Sequence, residues 1–167
     1  MKYSIEHVFD HPLAVVEKAM MHPDLAPFLV ERMPSLDQME PLQRDETDFA
    51  IKRRVRYLPK PIIKRIGPKK VPPEAMEWIE VSSYDKATHV LTFDNQPTHP
   101  KVKKLFVNQG TITLVERNGR TVRTMDGVLH IKVAILGKVA ERMIYKTAAA
   151  ILKEECEALN AFIAQHL

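Results

Sequence analysis

The chain has 167 residues, 45% of them apolar, and 25 Lys plus Arg against 21 Asp plus Glu. That length can bury the core of one domain spanning 1–167 and excludes two comfortable ones, while a net charge of +4 invites anionic surfaces without demanding them. A lone cysteine, Cys156, excludes an internal disulfide framework and a cysteine-based zinc site, and suits a reducing compartment such as the cytoplasm.

MKYSIEHVFDHP alternates polar and apolar residues and has no basic segment followed by an unbroken hydrophobic run, so it reads as a strand and not as a signal peptide. Tyr3, Ile5, His7 and Phe9 share one face of it. Asp10, two residues before Pro12, is the expected N-cap of a helix in LAVVEKAMM. Pro23 and Pro27 then set off a second short helical piece. SLDQMEPLQRD reads as a strand, and so does TDFAIKRRVRYL, where Phe49, Ile51, Val55 and Tyr57 alternate. Arg53 falls in that inward register, whereas Lys52, Arg54 and Arg56 point outward. An inward arginine requires a carboxylate inside the fold, an anionic ligand, or a route to solvent near the strand end.

The segment YLPKPIIKRIGPKKVPPEAM, 57–76, mixes isoleucines and lysines with prolines too dense for a regular element. Between Tyr57 and Trp78 it has no aromatic to stack on a base, which weighs against a nucleic-acid arm. Aliphatic side chains among cations suit a membrane interface, where each cation contributes about 1 kcal/mol toward an anionic leaflet. Leu58, Ile62, Ile63, Lys64, Arg65 and Ile66 are therefore expected to form a lid and membrane contact. The plainer alternative is a surface loop whose isoleucines pack on their own fold.

EWIEVSSYD and THVLTFDN read as two strands joined by a turn at 85–87, and LFVNQGTITLVE and TVRTMDGVLHIKVAI flank Asn118-Gly119, a strong hairpin signal. From about Gly137 the period becomes helical, with Tyr145, Ala149, Leu152, Cys156, Leu159 and Ile163 on one stripe. No window approaches the roughly 20 apolar residues of a membrane-spanning helix. The predicted fold is α+β of helix-grip type: a curved antiparallel sheet of six to seven strands wrapped around a long C-terminal helix, with two short helices after the first strand. The small run Thr147, Ala148, Ala149, Ala150 underfills the space between them and leaves an internal cavity.

HVFDHPLAVVEKAM, HPDLAPFLV, the run Arg56-Tyr57-Leu58-Pro59 with Ile62-Ile63-Lys64 and Gly67, and Ile79-Glu80-Val81-Ser82 with Asp85 and Asn95 occur in an order that resembles the PRELI-like lipid-transfer domains. These belong to the START-like (helix-grip, Bet v 1-like) superfamily. The resemblance implies a carrier of acidic phospholipids whose loop matching 57–76 covers the pocket and dips into the bilayer. A mitochondrial member would work in the intermembrane space with a small helical chaperone. Here Met21 precedes His22-Pro23, where the family often carries a basic residue deep in the pocket.

The expected function is non-enzymatic transport of a phospholipid or other hydrophobic ligand by a monomer, cytoplasmic and peripheral at an anionic membrane surface, with no cofactor and no nucleic acid. Candidate ligand-binding residues are Arg53, Tyr57, His89, Phe93, Met125, Lys146 and Ala149, with Lys64, Lys138 or Lys146 at the mouth for a headgroup phosphate. One rival is a START-like cyclase or aromatase, for which His7 or His89 with Glu80 would supply the polar pair. The other is a basic RNA- or ribosome-associated module. No histidines have the spacing of a metal site on one helix.

Overall fold

The computed structural model describes residues 1–61, 65–66, 68–133 and 137–167. Its elements in chain order are β1 (Lys2–Phe9), α1 (Leu13–Met20), α2 (Leu25–Arg32), β2 (Leu36–Glu46), β3 (Ala50–Pro59), the two-residue strands β4 (Arg65–Ile66) and β5 (Lys69–Lys70), β6 (Trp78–Asp85), β7 (Val90–Pro97), α3 (Pro100–Lys103), β8 (Phe106–Arg117), β9 (Arg120–Ile131) and α4 (Gly137–His166). Seven strands form one antiparallel sheet in the order β1-β9-β8-β7-β6-β3-β2, and β4 pairs with β5 in a separate two-stranded sheet. The sheet curves around α4 in a helix-grip arrangement, as the change from period two to period three and four requires.

Local chemistry accounts for the turns. Asn118 and Gly119 take φ of 53° and 75°, the left-handed pair that a two-residue hairpin needs to match strand twist. Between β6 and β7, Asp85 Oδ1 accepts from the amides of Ala87 and Thr88. This turn runs on through His89, at φ 55°, so His89 is a turn residue and not the strand residue its register suggested. Asp10 likewise does not cap α1. The helix begins after Pro12, the Leu13 amide donates to Glu116 Oε2 at 2.8 Å from β8, and Asp10 pairs with Arg120.

Gly110 and Gly127 are cross-strand partners at the middle of β8 and β9. A Cβ on Gly110 would lie 2.0 Å from the Asp126 carbonyl oxygen, and one on Gly127 would meet Tyr3 Oη at 2.4 Å. Both positions are glycine because neighbouring groups occupy the space a side chain would need. At the far edge, the acidic β2 pairs with the basic β3: Glu40 faces Arg56 and Asp45 faces Lys52. Phe49 precedes β3 and is 79% exposed, so the alternation that placed it inside begins only at Ile51.

The core sits at one end of the grip. Phe9, Val16, Ala19, Leu91, Leu159 and Phe162 are nearly or wholly buried there, joining α1 and α2 to the C-terminal half of α4. The N-terminal half of α4 rests differently. Glu141 is buried at its start and accepts from the Ile131 amide at 3.0 Å, the chain's terminal ammonium at 3.0 Å and His130 Nδ1 at 3.1 Å. These bonds hold its carboxyl down at about 2, the Ile131 amide contributing most.

Candidate functional site

Between the two halves of α4 the helix presents Ala140, Ile144, Thr147, Ala148, Ile151 and Glu155 to the sheet, spaced by three and four. Opposite them stand Ile5 of β1, Met125 and Leu129 of β9, Ile112 of β8, Phe93 of β7 and Trp78 of β6. Small helix residues facing large sheet residues leave a cavity of about 670 Å³, lined mainly by apolar side chains. That volume is ample for a small organic ligand. Pro68, Lys70, Val71, Pro72, Ala75 and Met76 close one wall, so the proline-rich segment belongs to the cavity. The exposed lining residues Lys70, Lys101, Leu105 and Val133 mark its rim.

Two ion pairs, largely shielded from solvent, lie along the inner surface. Arg53 donates to the Met20 carbonyl at 3.1 Å and holds Nη2 4.0 Å from Glu80 Oε1. Burial raises the Glu80 carboxyl above its ordinary range, and Arg53 offsets part of that rise. Arg123 is 1% exposed and donates to Glu155 Oε2 at 2.9 Å, with its Cζ 5.3 Å from the Phe9 ring centroid and Nη2 3.4 Å from His7 Nδ1. Burial and then Arg123 lower the His7 pKa, which favours a neutral imidazole. Glu80 and Glu155 both line the cavity. Tyr57 stacks on Trp78 at 5.2 Å, and its phenol is raised well above the ordinary range by burial and by Glu80. Tyr3 donates to Asn108 Oδ1 at 2.8 Å, and burial pushes its phenol up to about 12.

The sequence-based candidates divide. Tyr57, Phe93 and Met125 line the cavity; Arg53, His89, Lys146 and Ala149 do not. Arg53 is inward, as its register required, but its partners are Glu80 and a carbonyl, so the fold itself supplies the carboxylate. His89 faces Tyr84 Oη at 3.3 Å and Glu17 at 3.6 Å, away from the cavity. Ala149 is turned about 100° from Ala148 around the helix, and Lys146 is exposed. His7 does not line the cavity either, so neither histidine forms a lining pair with Glu80.

Of the expected lid, Leu58 is half-buried and absent from the lining, and Arg65 is exposed and donates to the Pro68 carbonyl. Ile62, Ile63, Lys64 and the side chain of Ile66 lie outside the described residues. Sequence reasoning missed Arg123, although it shares the period-two register of Met125 and Leu129, and it missed Asn95, which continues the register of Phe93, and His99, which lies just before α3. Among the described residues no cluster of three metal-ligating side chains occurs, and no helix is long and apolar enough to cross a membrane.

The family profile described as "Protein of unknown function (DUF2505)" matches residues 4–163. The chain belongs to the DUF2505 family. No curated protein matches the sequence. Among solved structures, this DUF2505 protein is similar to TTHA0849 from Thermus thermophilus, at TM-score 0.70 and 14% identity over 98% of this chain and 97% of that one. It is also similar to the Zhui aromatase/cyclase from Streptomyces sp. R1128, at TM-score 0.63 and 14% identity over 99% and 95% of the two chains. A third likeness is to norcoclaurine synthase from Thalictrum flavum in complex with dopamine and hydroxybenzaldehyde, at TM-score 0.65 and 14% identity over 100% and 89%. These likenesses establish the Bet v 1-like (START-like) helix-grip fold of the DUF2505 chain.

Proposed function

We propose that this DUF2505 protein is a non-enzymatic carrier that holds one anionic amphiphile, such as a phospholipid, with its apolar chain between sheet and helix. The observation that carries this reading is an apolar cavity of about 670 Å³ whose rim includes the exposed cations Lys70 and Lys101. Each buried methylene contributes about 0.8 kcal/mol to uptake, and cations at the rim hold a phosphate or carboxylate in charge-assisted hydrogen bonds without moving charge into the interior. The headgroup position thus differs from one deep in the cavity, where Glu80 and Glu155 already pair with Arg53 and Arg123. The PRELI-like resemblance supports the same assignment, with segment 57–76 as lid and membrane contact.

The test has two parts. Native mass spectrometry of the protein purified from its own cells is expected to show a lipid-sized adduct, and transfer between vesicles is expected to rise when they contain anionic phospholipid. A protein that carries no extractable lipid and moves none between such vesicles overturns the reading. Replacing Ile62 and Ile63 with Ser is expected to abolish vesicle association while leaving the fold intact. Unchanged association would retire the lid.

A further inference from the structure

Glu80 and Asn95 are direct cross-strand partners on β6 and β7, and both side chains line the cavity. Asn95 Oδ1 is shut off from solvent and has no hydrogen-bond partner among the described residues. A buried amide oxygen left unpaired loses its hydration with no return. Glu80, beside it, has Arg53 Nη2 at 4.0 Å, too long for a hydrogen bond. The partner that Asn95 Oδ1 lacks among the described residues can reach it from the cavity.

Chemistry narrows what that partner is. Asn95 Oδ1 accepts, so the ligand group donates. The group is neutral, because an ammonium placed there would lie beside the Arg53 guanidinium. A hydroxyl meets both conditions, giving its proton to Asn95 Oδ1. Position follows from the chain. His99, whose Nδ1 is also buried without a partner among the described residues, lines the cavity four residues closer in sequence to the rim lysine Lys101.

We propose that Asn95, beside Glu80, forms a hydroxyl-recognition site inside the cavity, selecting an amphiphile whose anionic group sits at the Lys70 and Lys101 rim and whose apolar chain bears a hydroxyl partway along. The inference rests on the carrier reading and adds the ligand class to it. Equilibrium dialysis of the whole protein against labelled stearate, a mid-chain hydroxystearate and the isomer with its hydroxyl at the methyl end tests it. The two isomers share composition, so their difference reports position and not polarity. The mid-chain isomer is expected to bind roughly tenfold more tightly than the methyl-end isomer, the scale of a hydrogen bond to a buried acceptor. Asn95→Leu is expected to level the isomers. Equal binding of the isomers to the unaltered protein, with stearate still bound, overturns the hydroxyl site alone. Failure of all three acids to bind overturns both this inference and the carriage of anionic single-chain amphiphiles beneath it. The comparison on the unaltered protein stands even if the variant misfolds.

Discussion

Arg123 donates to Glu155 from a nearly solvent-free position and lies over Phe9, so it joins α4 to the sheet at the inner end of the cavity. Replacing it with methionine keeps most of the volume but strands Glu155 beside an apolar wall. Such half-removal of a buried pair is expected to destabilise by about 3 kcal/mol, read as a lower denaturant midpoint with the slope unchanged. Restoring neutrality with Glu155→Leu in the same chain should recover most of that loss. Glu141 tests a different balance. Its folded pKa, about 2, lies below the ordinary 4.5, so its contribution is full above 4.5 and drains away as pH falls toward 2. The gap in melting temperature between the natural protein and Glu141→Gln should therefore be wide at neutral pH and close on acidification. A constant gap would mean that the carboxylate's bonds do not act through its charge. At this scale the sequence was a partial guide. Arg53 could be read as inward from alternation alone, but which carboxylate meets it depends on the pairing of β3 with β6, a contact between residues far apart in the chain.

Among the elements, the β8–β9 hairpin and α4 were legible because their signals are local. Asn-Gly specifies the turn through backbone sterics, and the long helical stripe specifies α4 through side-chain spacing. The two glycine classes in these strands predict different costs. Gly119→Ala meets no atom within 4 Å and is strained only by its φ of 75°, for an expected loss of about 1 kcal/mol. Gly110→Val drives its Cβ into the Asp126 carbonyl, for an expected loss of about 3 kcal/mol or more. Thermal denaturation of the two variants should rank them in that order, and the reverse order would place the sheet's tight approach elsewhere. The cap of α1 was not legible, because Glu116 reaches Leu13 from 103 residues away and leaves Asp10 free to pair with Arg120.

For the whole molecule, the decisive property is the mismatch between a small-residue helix face and a curved sheet. Ala148 lines the cavity from α4. Ala148→Trp is expected to fill it, abolishing stearate retention in dialysis while the far-UV spectrum stays that of the natural protein. Retention undiminished by that change would locate the ligand elsewhere. The charge distribution also has a whole-molecule reading. The basic run of β3 looked like an attraction for anions, but β2 lays Glu40 and Asp45 against it, with Arg56 paired to Glu40. Among the described residues, the exposed cations that line the cavity are Lys70 and Lys101 at its rim.

By itself the sequence determined the order of strands and helices, the hairpin, the helix-grip class and the expectation of a cavity, because periodicity, turn sterics and side-chain size act over a few residues. Only the tertiary structure decided that Arg53 and Arg123 are neutralised from within, that His89 turns away, and that Glu80, Asn95 and His99 line the interior. Those outcomes depend on cross-strand register and on which element covers which face, and both arise when segments distant in the chain compete to bury the same surface.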